Sequence, residues 1–217
     1  MMYTPKTFNL PTLEGLSEKQ IKVHLALYDG YVKHVNLITE KLAAVREGKL
    51  ELDPYVIAEL RRRFAFEFNG MRMHEYYFEQ CEGHQTSLTT DGALAKAIAE
   101  KYSSTSLTTG GEKSLEAHIR EVATMRGIGW VVVYADPTVN SSTPLTAGTL
   151  HTVFVNDHEI GQLAGLPILL ALDLWEHAYM VDYAPVDKKN YINAFFTNLN
   201  WGVVEKRFEE TKRMSAV

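Results

Sequence analysis

The sequence predicts an α+β fold: an N-terminal α-helical hairpin, then an α/β domain with a three-stranded antiparallel sheet. Three observations predict it. Helix-periodic apolar patterns fill the chain as far as the polar stretch Glu82-Gly83-His84-Gln85-Thr86-Ser87. Beyond it, two β-branched and aromatic runs, Trp130–Tyr134 and Thr149–Val155, precede the apolar run Leu166–Leu172. Short links between these runs favour an antiparallel meander. The polar stretch sets the expected boundary, with residues 1–86 as the hairpin domain and 87–217 as the α/β domain.

The elements follow in order. Residues Thr4–Leu16 carry Pro5, Pro11 and Gly15 and read as an extended arm. Ser17 and Gln20 fit a capping box, opening a helix expected to reach about Val45 and to end before Gly48. Ile21, His24, Tyr28, Tyr31, Val35 and Ile38 recur at steps of three and four, on one face. Asp53-Pro54 opens a second helix with proline at its favoured first position. It runs through the charged Arg61-Arg62-Arg63 to His74, which sits among aromatics. Gly92–Tyr102 and Ser114–Met125 read as further helices, with His118 lacking an obvious partner; Ser103–Gly111 and Asp136–Thr146 read as loops. A last amphipathic helix is expected from Lys188 through Phe195 and Trp201.

Composition narrows the function. Hydrophobic residues make up 46% of the 217 positions, as in ordinary globular proteins. No apolar run approaches the roughly 20 residues that span a bilayer, so no membrane partner is expected. The N-terminus lacks an apolar leader core, and a single cysteine, Cys81, cannot form an internal disulfide; both suit the cytoplasm. A net charge of −5 without a long basic run argues against nucleic acid.

The chemistry concentrates in Asp173-Leu174-Trp175-Glu176-His177-Ala178-Tyr179. The apolar run before it reads as a buried strand that delivers Asp173 into a first helical turn carrying His177. Such a pair suits a metal ion, and both groups are costly to bury unpartnered. The competing reading is an N-cap aspartate and a satisfied histidine. His24 and His74, taken alone, read as core histidines.

The stretch resembles the D-x-W-E-H-A-Y signature of iron/manganese superoxide dismutases. Phe8-Asn9-Leu10-Pro11, Tyr31-Val32, Phe68-Asn69-Gly70, Gly127-Ile128-Gly129-Trp130, Tyr191-Ile192 and Asn200-Trp201 resemble the same family, in order along nearly the whole chain. The resemblance implies four metal ligands, His24, His74, Asp173 and His177, between the two domains, with bound solvent as a fifth. It implies one manganese or iron ion per subunit and conversion of superoxide to oxygen and hydrogen peroxide. Tyr31 resembles the family's gateway tyrosine, Trp130 and Trp175 would wall the pocket, and Glu176 would pair with the partner subunit's His177 in a homodimer or tetramer. The alternative is a dismutase-like structural protein, against which stand the four ligands and the lack of a basic surface.

The departures from the family are informative. His24 and Tyr31 are one residue closer than is usual, a clean helical spacing that suggests the loss of a helical bulge. The usual second histidine of the first helix is missing. So is the tyrosine that normally meets it across the dimer, replaced by Met180; Tyr28 facing Met180 is the expected substitute. Lys188 stands where arginine is common, which weakens any bidentate contact there. The glutamine that usually contacts bound solvent is absent, since Gly70 occupies one of its two places and Asn156-Asp157-His158 follows the second strand. His158 is the expected replacement and Asp157 its competitor; a plain loop histidine is the third reading. Iron versus manganese stays open.

Overall fold

The computed structural model describes residues 2–102, 111–137 and 149–214. Two long helices come first, α1 (Glu18–Arg46) and α2 (Pro54–Glu79). Ser17 caps α1 by accepting from Gln20 N–H, and Asp53 caps α2 by accepting from Tyr55 N–H, with Pro54 inside the first turn. Helix α1 is α-helical throughout, without a bulge. The spacing of its apolar residues therefore places His24, Tyr28, Val32, Val35 and Ile38 on one buried face.

Helices α3 (Ala93–Tyr102) and α4 (Gly111–Ala123) follow, then strands β1 (Gly129–Asp136), β2 (Thr149–Asn156) and β3 (Ile168–Asp173). The expected loop Ser103–Gly111 lies almost wholly outside the described residues, as does most of Asp136–Thr146. Both strand pairs are antiparallel, but the order is β2-β1-β3, so the expected meander is incorrect. The physical reason is β1 itself. Trp130–Ala135 are all buried, and a strand this apolar is best satisfied by a neighbour on each edge. The link from β2 to β3 therefore passes beyond β1.

The expected single C-terminal helix is two, α5 (Lys188–Asn198) and α6 (Trp201–Met214). Leu199 is extended between them. Asn200 N–H donates to the Gln80 carbonyl at 2.9 Å and its side-chain amide donates to the Glu82 carbonyl, so the chain breaks to hold the end of α2. Arg207 on α6 donates to the Leu169 and Tyr76 carbonyls and pairs with Glu79 at 3.0 Å, tying α2 to β3. No helix among the described residues is long and apolar enough to cross a membrane.

Candidate metal centre

Each of four elements brings one side chain to a common point between the hairpin and the sheet. Helix α1 supplies His24 and α2 supplies His74, both fully buried. Strand β3 ends at Asp173, also fully buried, and a short 3-10 turn, Glu176–Ala178, carries His177. One ligand-type atom from each of the four lies within 4.8 Å of the others.

The local bonds show which atoms are free. Asp173 Oδ1 accepts from Trp175 N–H at 2.8 Å, and the Asp173 carbonyl accepts from the Tyr191 hydroxyl at 2.7 Å. The capping reading of Asp173 is thus true of Oδ1 alone. Oδ2 faces Nε2 of His24, His177 and His74 at 3.0, 3.3 and 3.6 Å. His74 Nδ1 lies 2.6 Å from the Gly70 carbonyl, which can only accept. Nδ1 therefore holds the proton of the neutral ring and Nε2 presents a bare lone pair, 3.2 Å from His177 Nε2.

Electrostatics agree with a cation at the centre. Burial lowers the pKa of His24, and it lowers that of His74 well below the ordinary value, so neutral imidazoles are favoured. Burial alone would raise the Asp173 carboxyl, but His177 and His24 outweigh it and hold the group well below the usual carboxylate range. A buried carboxylate oxygen and imidazole lone pairs aimed at one point repel without a positive charge between them. Three nitrogens and one oxygen suit iron or manganese, so the residues present fit such an ion.

A second layer surrounds the ligands. Trp130 Nε1–H donates to His158 Nδ1 at 2.9 Å, and His158 Nε2 lies 2.8 Å from the Tyr31 hydroxyl. An indole nitrogen only donates, so Nδ1 is the acceptor and the proton of neutral His158 sits on Nε2. Burial lowers the His158 pKa to about 4, which keeps the ring neutral. Burial first, then the Asp173 charge, raises the Tyr31 pKa. The Trp130 ring packs edge-on to His74 at 5.1 Å, and the Trp175 ring stacks on His158 and His177 at 5.0 and 5.7 Å.

Other expected residues lie elsewhere. Asp157 takes a positive φ of 51°, and among the described residues its hydrogen bonds near the site are backbone ones, its carbonyl accepting from Trp175 Nε1–H and its N–H donating to the Ile128 carbonyl. Glu176 is exposed within the protomer. Tyr28 does not face Met180. It is buried in the hairpin, where its hydroxyl accepts from Lys6 N–H at 2.8 Å and donates to Glu75 at 3.2 Å. An unbroken α-helix puts the fourth residue after His24 on the buried face, so the hydroxyl turns inward. His118 has Glu121 at 3.7 Å and the Tyr102 ring beside it.

Sequence reasoning passed over Phe66, whose ring edge meets His158 at 4.6 Å with the Arg63 guanidinium 3.9 Å above it. The signal was present, because Phe66, Gly70 and His74 recur at the four-residue helical step. Gln20 was read only as a cap, although it lies one turn before His24.

Comparisons with known proteins agree with this geometry. The family profile for iron/manganese superoxide dismutases, C-terminal domain, matches residues 90–207. An iron superoxide dismutase of Aquifex pyrophilus is 33% identical over 205 residues, covering 93% of this chain and 88% of that protein. One from Saccharolobus solfataricus is 28% identical, covering 95% and 92%. A manganese/iron superoxide dismutase of Aeropyrum pernix is also 28% identical, covering 95% and 89%. With the ligand cage closed by both halves and the similarity running through both, the chain belongs to the iron/manganese superoxide dismutase family.

Proposed function

We propose that Tyr31 is the proton donor of this superoxide dismutase, with His158 holding its hydroxyl oxygen and Trp130 fixing the orientation of His158. The metal-dependent dismutation itself follows from family membership and from the site formed by His24, His74, Asp173 and His177. Held by these four residues, iron or manganese would supply the one-electron redox chemistry by which two superoxides and two protons become dioxygen and hydrogen peroxide. The remaining work falls to the protein: admitting a small anion, excluding competing groups and supplying protons to a buried site.

The observation that carries the reading is the directed chain Trp130 Nε1–H to His158 Nδ1, then His158 Nε2–H to the Tyr31 hydroxyl oxygen. Because His158 donates to that oxygen, the Tyr31 O–H remains available to donate to a reacting oxygen anion. Donation from His158 also stabilises negative charge on the phenol oxygen once its proton has gone. The Nδ1 lone pair is taken by Trp130, so neutral His158 keeps its Nε2 proton and acts by holding Tyr31 and stabilising its anion, not by passing a proton on. Trp130 and Trp175 exclude water around the ligands, strengthening each of these interactions.

Activity and metal preference of the loaded protein test this. His158→Gln keeps one donor beside Tyr31 and should retain metal while changing the rate and the preference between iron and manganese. His158→Ala should cost about 10²–10³ in the proton-dependent half-reaction, the usual range for a removed hydrogen-bond donor to a developing anion. Asp157→Asn should be nearly silent. A silent His158→Gln together with an altered metal preference in Asp157→Asn refutes the assignment.

The same reading extends to assembly. Glu176, Met180 and Val181 are exposed on the turn that carries His177. A homodimer, or a dimer of such dimers, would cover them and let Glu176 pair with the partner's His177. The cytoplasm is the compartment we propose, which suits the single free thiol of Cys81.

A further inference from the structure

The start of α1 forms only half of the expected capping box. Ser17 Oγ accepts from Gln20 N–H at 3.1 Å, but the fully buried Gln20 side chain does not reach back. It crosses instead to the segment after β3. Its Nε2 donates to the His177 carbonyl at 2.6 Å, and its Oε1 accepts from Val181 N–H at 2.9 Å. Ser17 N–H and Oγ–H both donate to the Asp182 carboxylate, each at 2.6 Å. The first turn of the helix that bears His24 thereby holds the turn that bears His177.

Helix α2 has a counterpart in Gln80, which is fully buried and bonds both the N–H and the carbonyl of Ala171 on the free edge of β3. The two amides differ in what else does their work. Strand β3 is already fixed by its ladder to β1, with Val132 opposite Ala171 and Trp130 opposite Asp173. The turn Glu176–Ala178 has no such ladder, and the N–H groups of Ala178, Tyr179 and Met180 bond only locally, to Trp175 and Glu176. Nothing in those local bonds sets the distance from His177 to the other three ligands. Gln20 does, because it grips the carbonyl of the ligand residue itself.

We propose that Gln20 is a positioning residue for the metal site, holding His177 at coordinating distance through its backbone, whereas Gln80 serves stability alone. The proposal rests on His177 being a ligand. Its logic is that of groups that orient metal ligands from outside, whose loss costs metal affinity beyond its cost in folding.

The test uses the full-length, metal-loaded protein with Gln20→Met and Gln80→Met, each replacing the amide by an apolar chain of similar length. Three quantities are compared: the rate of metal loss to excess EDTA, the visible absorption of the oxidised metal, and the unfolding midpoint of the metal-free chain. Gln20→Met should lose metal about 10–100-fold faster and shift the absorption band. Gln80→Met should lower the midpoint yet leave the band in place and metal loss little changed. Equal effects of the two variants on metal loss, or a wild-type band and rate in Gln20→Met, overturn the proposal. If Gln20→Met does not fold, Gln20→Asn decides, since it keeps a buried amide but is one methylene too short to reach the His177 carbonyl and Val181 N–H. Faster metal loss then supports the proposal and an unchanged rate overturns it. A wild-type chain that takes up neither iron nor manganese overturns the ligand reading beneath it instead.

Discussion

A single methyl group at position 70 should cripple the enzyme while leaving it folded. Gly70 lies within α2, four residues before His74, and the Tyr31 ring rests directly on it. A Cβ placed there would meet Tyr31 Cδ1 at 2.6 Å, Cε1 at 2.7 Å and Cγ at 3.0 Å. Carbon atoms prefer about 3.5–4.0 Å, so the ring must retreat by about 1 Å. It has little room to do so. His74 packs against it at 5.1 Å between ring centroids, and His158 holds its hydroxyl at 2.8 Å.

Two opposing terms set the stability change in Gly70→Ala. Alanine in place of glycine in a helix interior gains about 1 kcal/mol, and overpacking a tight site costs about 1–3 kcal/mol. The net is a loss of about 0–2 kcal/mol, small enough for the protein to fold. Activity carries no such compensation, since a hydrogen bond of 2.8 Å does not survive a 1 Å displacement of its acceptor. A misplacement of that size can cost about 10²-fold in rate. The assay is the dismutation rate of metal-loaded Gly70→Ala by stopped-flow or pulse radiolysis, alongside thermal unfolding. A double-mutant cycle isolates the clash. In a Tyr31→Ala background the added methyl meets no ring, so Gly70→Ala should become stabilising by about 1 kcal/mol. A wild-type rate in Gly70→Ala, or the same stability change in both backgrounds, would refute the packing argument.

Three more outcomes are expected. His74→Ala should abolish stoichiometric metal and dismutation while far-ultraviolet circular dichroism keeps most of the helix signal; full activity with metal bound would remove His74 from the ligand set. Cys81 is buried and burial pushes its thiol up to about 12, so it should ignore Ellman's reagent in the native protein and react once per chain in denaturant; prompt native reaction would contradict the burial. Sedimentation of the metal-loaded protein at micromolar concentration should give a dimer or tetramer, and a monomer would contradict the pairing proposed for Glu176.

The helical hairpin was legible because its signals are local. Ser17, Asp53 and Pro54 are cap residues acting within their own turn, and the buried face of α1 follows from spacing alone. The three strands were legible for the same reason. Their order was not, because it depends on which strand most needs two neighbours, and composition alone did not rank Trp130–Ala135 above the others. The break at Leu199 was equally hidden. It is fixed by Asn200 bonding to Gln80 and Glu82, contacts between residues remote in sequence. The four ligands of the site became legible only through the signature and its resemblance, since a buried histidine on an apolar helix face has no ligand mark of its own.

The reversal at Tyr28 shows how one backbone feature redirects chemistry. A bulge in α1 would advance the residues after His24 around the helix. Without one, Tyr28 stays on the buried face, next to Phe8 with ring centroids 5.5 Å apart, and its hydroxyl is consumed by Lys6 and Glu75. Its one O–H is spent on Glu75 and the side chain is buried, so it offers nothing to a second subunit. The same unbroken helix brings Tyr31 round to the face it shares with His24, over the position where Gly70 leaves space. In the proposed dimer, the turn of Glu176 and His177 would sit at the seam one residue from a metal ligand, and Gln20 holds that turn from the first turn of α1.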